Sequence, residues 1–335
     1  MGENLYKYGH NSKLFRARPD DPIQFRSLQE MATTAQREDA PWFTHFLEYH
    51  QNSYYADKII SDTLNGRGKW GSSSREQRAE IVIKTVQYHV VFMFLLAQLA
   101  DAIRDCDNDD ANDNMGTVHS WDKVVAFYVG SQEGSTEGGS KDFSDGTLMW
   151  NLGNKRCTQF NTENSKGWSE VMSSIEDQFY AGLGELNAYD CVNLGHTVKR
   201  IAHLSLIPLM QSVVRYAIKN ERHSWNSGSK DLAAGEAFAY SILPILNAYD
   251  PIGMAIVEEN MVVEEGKEPV MDGAQAVANA FQPIMNQFGL ECQFLGQSDG
   301  IDFCKKGTSS ATKHATIAGS SILSVVVLVV LAILP

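Results

Sequence analysis

The chain has 335 residues, 43% of them hydrophobic and 21% charged, with a formal net charge of −13 and a pI near 5.1. That length is enough to bury a large core, and no long Pro/Ser linker divides it, so one globular body plus a tail is expected. An excess of 41 Asp and Glu over 28 Lys and Arg excludes nucleic acid as a partner, because phosphate binding needs clustered basic side chains, and makes a cation the more natural ligand.

The first 40 residues hold no clear periodicity. Their opening, MGENLYKYGHNSKL, has no apolar core for a signal peptide, and Tyr6 stands where N-myristoylation needs Ser or Thr. The segment therefore reads as N-terminally incomplete, or as the start of a cytosolic tail-anchored chain that needs no signal. From there helical periodicity dominates, over 41–65, 75–106, 121–129, 168–182, 191–219, 232–249, 252–261 and 272–288. The connections carry the breakers GRGKWGSSS, NSGSK and EEGKEPVMDG, and the glycine-rich stretch 130–146 reads as a surface loop. An all-α helical bundle follows, with residues 41–290 as its body.

The acidic run DAIRDCDNDDANDN, 101–114, lacks the sixth-position Gly and twelfth-position Glu of an EF-hand, so it reads as a solvated turn. A weak internal repeat is visible. One long apolar helix ends near Cys106 and another near Asn220, and each is followed by a short aromatic helix, WDKVVAFY and GEAFAYSILP. Two such copies would pack as related half-bundles with a site at or between them.

Cys292 and Cys304 bracket CQFLGQSDGIDFC, a spacing that suits a disulfide in a stalk over 291–316, while Cys106, Cys157 and Cys191 leave one thiol over. The last block, 317–335, is apolar and uncharged to its end. It is marginally long enough to span a bilayer, or, with small residues at Ser309 to Ala311 and a polar spacer, to direct a lipid anchor. Either way the body is tethered to a membrane.

The residues that bear on chemistry gather in three places. In HTVKRIAH, His196, Arg200 and His203 are spaced by four and three and so fall on one helical stripe that continues into apolar sequence. In GEAFAYSILP, Glu236 and Tyr240 share a face; in WDKVVAFY stand Asp122 and Tyr128, and in QSVVRYAIK stands Arg215. Pro208 and Pro244 interrupt helical runs, either kinking them and freeing a carbonyl or starting a new helix.

Carboxylate, phenol and imidazole together suit hard ferric iron: Glu236, Tyr240, His203, His196, Asp122 and Tyr128 are the candidate ligands. Arg200 and Arg215 are the candidate anion-binding residues, able to hold carbonate and to favour a nearby phenolate. On spacing alone the same His/Arg stripe also reads as a polar seam between helices. No GxSxG, P-loop, HExxH or paired ExxH motif and no CxxC occurs, so hydrolysis, phosphoryl transfer and zinc or di-iron chemistry find no support, and a binding protein is expected rather than an enzyme.

The stretches WDKVVAFYVGSQEG, GTLMWNLGNKRCTQF, QSVVRYAIK and GEAFAYSILP resemble the algal low-iron-inducible iron-assimilation family, which includes the phytotransferrins. The resemblance covers roughly residues 45–260. It departs at Lys123, Val124 and Val125, where acidic, Gly and Trp residues are expected, which weakens Asp122 as a ligand. It implies a surface-anchored protein that binds ferric iron with carbonate and passes it on through a ferric reductase or endocytic machinery. The other reading left open is a membrane-tethered interaction protein without metal.

Overall fold

A computed structural model describes residues 6–7, 27–34, 38–107, 117–130, 148–222, 228–264 and 268–305. The expected anchor block 317–335, the glycine-rich loop and most of the N-terminal segment lie outside these residues. Among them the architecture is all-α. The helices are α1 (Leu28–Thr34), α2 (Phe43–His50), α3 (Tyr55–Leu64), α4 (Arg75–Asp107), α5 (Thr117–Val129), α6 (Met149–Phe160) and α7 (Glu170–Asn187). They continue with α8 (Cys191–Arg222), α9 (Lys230–Tyr240), α10 (Leu243–Tyr249), α11 (Pro251–Met261), α12 (Ala274–Asn279), α13 (Gln282–Phe288) and α14 (Cys292–Leu295). A two-stranded hairpin, β1 (Gln297–Ser298) and β2 (Ile301–Asp302), follows.

Two long helices, α4 and α8, form the axis and touch one another. Each is apolar and long enough by composition to cross a membrane, but 61% and 83% of their most apolar windows are buried inside the body, as core helices require. Ser74 starts α4 with a capping box: its hydroxyl accepts from the Gln77 amide at 3.2 Å, and the Gln77 side chain accepts from the Ser74 amide at 3.2 Å. At Val86–Val91 the helix widens into one π-helical turn before resuming. Pro208 lies inside an unbroken α8, and the Ser212 hydroxyl donates to its carbonyl at 2.6 Å. Pro244 does the other thing open to it and sits in the first turn of α10.

In each of the two units expected from the sequence the short helix touches the long helix before it, α5 on α4 and α9 on α8. Their other contacts differ. α9 also lies along the N-terminal half of α4, whereas α5 turns toward α6 and α7.

Three boundaries differ from expectation. The 41–65 run splits between α2 and α3, where Gln51 takes a φ of 51° and the Asn52 side chain accepts from the Tyr54 amide at 2.8 Å. The 232–249 run breaks after Tyr240, and 272–288 breaks after Asn279. α6 is an additional helix that buries Trp150, Leu152 and Phe160.

The Cys292–Cys304 disulfide forms as expected, but its segment is part of the body rather than a stalk. Phe294, Leu295 and Phe303 are buried, and Gln211 Nε2 donates to the carbonyls of Phe294 and Leu295 at 3.2 and 3.0 Å. Asp299 and Gly300, with φ of 54° and 83°, make the two-residue hairpin turn for which Asp-Gly is suited. A second disulfide joins Cys106 at the end of α4 to Cys191 at the start of α8, leaving Cys157 a buried thiol.

Candidate functional site

Of the six candidate ligands, the structure brings two together. Glu236 and Tyr240 share a face of α9, and Lys69 reaches both: its Nζ is 2.8 Å from Glu236 Oε1 and 5.9 Å from the Tyr240 ring centroid. Glu236 is fully buried. Trp70 Nε1 donates to its Oε1 at 3.0 Å, and the Val263 amide donates to Oε2 at 2.7 Å. Burial raises the Glu236 pKa, and the charge and hydrogen bond of Lys69 oppose that rise. Burial, followed by the charge of Glu236, holds the Tyr240 phenol well above its ordinary value.

The remaining expected residues sit elsewhere. His203 is stacked between Trp42 and Phe288, at ring-centroid distances of 5.5 and 4.3 Å, and burial lowers its pKa to about 4. His196 and Asp122 are exposed. Tyr128 is buried against Phe179, with its hydroxyl 3.0 Å from Ser205 Oγ. Arg200 Nη1 donates to the Gly289 carbonyl at 3.2 Å, and Arg215 pairs with Asp299 of the hairpin turn at 3.8 Å. The physical reason is topological: the His/Arg stripe lies on the N-terminal half of α8, while α9 packs on the opposite half and on the start of α4. The stripe is thus a seam and rim, not a wall of the Glu236 site.

What does surround Glu236 and Tyr240 comes from α2, α3 and α4. On α2, the Tyr49 hydroxyl donates to Glu258 Oε1 at 2.7 Å, and the His50 ring lies 6.0 Å from that of Tyr240. His50 stacks on Tyr55 of α3 at 4.1 Å with the planes 3° apart, and His89, in the π turn of α4, lies 5.9 Å from Tyr55. His89 Nε2 is 2.9 Å from the Ala237 carbonyl oxygen. A carbonyl can only accept, so Nε2 carries the proton and Nδ1 keeps a lone pair. Three buried polar atoms here, His50 Nε2, Tyr55 Oη and His89 Nδ1, have no hydrogen-bond partner among the described residues. Burial drives the His50 pKa to about 3 and that of His89 to about 4, so both rings are neutral, and it raises the Tyr55 phenol.

Two spaces meet at Tyr55. A cavity of about 450 Å3 is lined by His50, Tyr55, Lys58, Asp62, Arg67 and Lys69 among others. A second, of about 10 Å3, lies between Tyr55, His89, Phe43 and Met93. Among the described residues no group of three or more His, Cys, Asp or Glu side chains is arranged to hold a metal.

Sequence reasoning passed over His50, Tyr55, His89, Lys69 and Trp70. The available signal was His89 alone in the apolar run YHVVFMF, a residue type that core helices carry only with a partner. No family model, curated protein or solved structure matches the chain.

Proposed function

We propose that this is a cell-surface ferric-iron-binding protein for iron uptake, held to the membrane through its C-terminal block, with carbonate as accompanying anion. The observation that carries the reading is the 450 Å3 cavity, open to solvent, beside which the buried Glu236 carboxylate is neutralised, among the described residues, by a partly exposed lysine. The Tyr240 ring lies 5.9 Å from the Lys69 ammonium of that pair, and Tyr55 lines the same cavity. Oxygen-rich side chains with one exchangeable ammonium are suited to exchanging that ammonium for a hard cation. The resemblance of the aromatic motifs to the iron-assimilation family supports the same reading.

Within it, Lys58, Arg67 and Lys69 take the anion-holding part first considered for Arg200 and Arg215, because they line the cavity. The two disulfides fit an oxidising compartment and hence the outer face of a membrane. Titrating a ferric chelate into the full chain with and without bicarbonate tests the proposal. Iron binding is expected with a visible phenolate-to-iron band and tighter in bicarbonate. Unchanged affinity removes carbonate, and an absence of ferric binding leaves the metal-free surface-interaction reading.

A further inference from the structure

We propose that the 450 Å3 cavity beside α3 is a binding site for a small organic anion carrying two or more carboxylates, held by the ammonium groups of Lys58 and Lys69 and the guanidinium of Arg67. The assignment takes up the anion-holding part of the reading above with a larger ligand than carbonate, and it rests on the cavity rather than on iron.

The first argument is size. Sites that enclose a small organic molecule usually measure about 300–1,000 Å3, and 450 Å3 falls within that range. Carbonate, little larger than a water, would leave most of this space to solvent. The second is charge. The lining holds three cationic side chains, Lys58, Arg67 and Lys69, against one carboxylate, Asp62, on a chain whose net charge is −13. Asp62 serves two of them: its Oδ2 accepts from Lys58 Nζ at 2.5 Å, and its Oδ1 lies 3.8 Å from Arg67 Nε. Both side chains are exposed, at 65% and 67%, so each can turn from Asp62 to a ligand. Lysine and arginine bind carboxylates through charge-assisted hydrogen bonds, which are the strong kind.

The walls suit carbon as well as charge. His50 and Tyr55, whose rings stack with their planes 3° apart, line the cavity together with Ile59 and Trp70. Such a lining favours an organic frame between the carboxylates over a bare inorganic oxyanion. Two of the cations are also placed in advance. Arg67 and Lys69 stand on the loop between α3 and α4, where the Arg67 amide donates to the Asp62 carbonyl at 2.7 Å and Trp70 anchors the chain through its hydrogen bond to Glu236 at 3.0 Å. Gly68 takes a φ of 67° there, and a Cβ at this position would come within 3.2 Å of Asp62 Cβ, so glycine lets the loop lie against that side chain. A loop already held in place loses little freedom when a ligand binds.

The test measures binding of citrate, succinate, inorganic phosphate and bicarbonate to the metal-free full chain by titration calorimetry. Citrate should bind most tightly and succinate next, with phosphate and bicarbonate at least tenfold weaker than citrate. Phosphate or bicarbonate binding as tightly as citrate overturns the polycarboxylate assignment, and binding of none of the four removes the site. Lys58→Gln and Arg67→Gln, both at exposed positions, should each weaken citrate at least fivefold, while Arg200→Gln and Arg215→Gln, outside the cavity, should stay within twofold of wild type. Unchanged affinity in both cavity variants places the ligand elsewhere and overturns the proposal. Asp62→Asn separates an anion site from a cation site: it should tighten citrate at least threefold by freeing Lys58 and Arg67, a gain that misfolding cannot produce. Weaker citrate binding in that variant overturns the proposal. Citrate binding in a chain that fails to take up ferric iron leaves this site standing while the iron reading falls.

Discussion

Lys69 Nζ and Glu236 Oε1, 2.8 Å apart, form an ion pair with unequal burial: the lysine side chain is 41% exposed and the carboxylate is fully enclosed. Glu236→Ala removes the acceptor of Trp70 and Val263 together with the lysine's partner, and should cost about 3 kcal/mol, read from urea unfolding. Lys69→Met should cost less, and its cost should shrink as pH falls, because Glu236 can then take up a proton in the folded state. Equal losses at pH 7.5 and pH 5 would show that the pair does not control this carboxylate.

Acid should weaken the metal-free fold. The pKa values of His89 and His203 fall to about 4 on folding, and that of His50 to about 3, from 6.5. Between pH 6.5 and 4 the unfolded chain therefore binds more protons than the native one, and stability declines by roughly 1.4 kcal/mol per pH unit for each such group at most. The raised pKa of Glu236 works in the opposite sense and reduces the slope. A His203→Phe variant should flatten the decline in melting temperature, and an unaltered profile would remove His203 from the account.

Reduction should destabilise the protein mainly through one disulfide. Cys106–Cys191 closes a loop of 85 residues and Cys292–Cys304 one of 12, so on loop-closure grounds Cys106→Ser should cost about 4.6 kcal/mol and Cys304→Ser about 1.7 kcal/mol less. Cys157, buried and with its pKa pushed up to about 11, should resist alkylation until the chain unfolds. Thiol labelling of the native oxidised protein checks this directly.

Gly182 lies where a Cβ would come within 2.2 Å of Trp121 Cζ2, and Trp121 is a stiff, fully buried ring whose Nε1 donates to the Phe179 carbonyl at 3.2 Å. Gly182→Ala should therefore cost about 1–3 kcal/mol and change the near-ultraviolet circular dichroism. An unperturbed tryptophan signal would mean the contact between α7 and α5 relaxes without strain.

The helical architecture, the two long apolar helices and the Cys292–Cys304 link were legible because burial on one face imposes a 3.6-residue period and the cysteine spacing is short. The break between α2 and α3 was not, since Gln51 and Asn52 turn the chain without Gly or Pro. Nor was α6, whose NLGNKRCTQ stretch buries polar residues such as Asn154 and Arg156 and so shows no apolar stripe. The site was half legible. Glu236 and Tyr240 share a helix face, which spacing reveals, whereas His50, Tyr55 and His89 converge from three helices, and no local pattern encodes that meeting. The His196, Arg200 and His203 stripe is real as a stripe, but its face packs on Gly289, Trp42 and Phe288.

The widened turn at Val86–Val91 holds about one residue more than an α turn, so it takes up a single residue without turning the faces of the two lengths of α4 that flank it. Excising one residue from this turn would leave a regular helix with Ile81 still under α9 and Leu95 and Leu99 still beside α8. Elsewhere in α4 the loss of one residue swings everything beyond it by about 100°, so one side could no longer face the core. Shortening the helix should thus be better tolerated at this one turn than anywhere else along it.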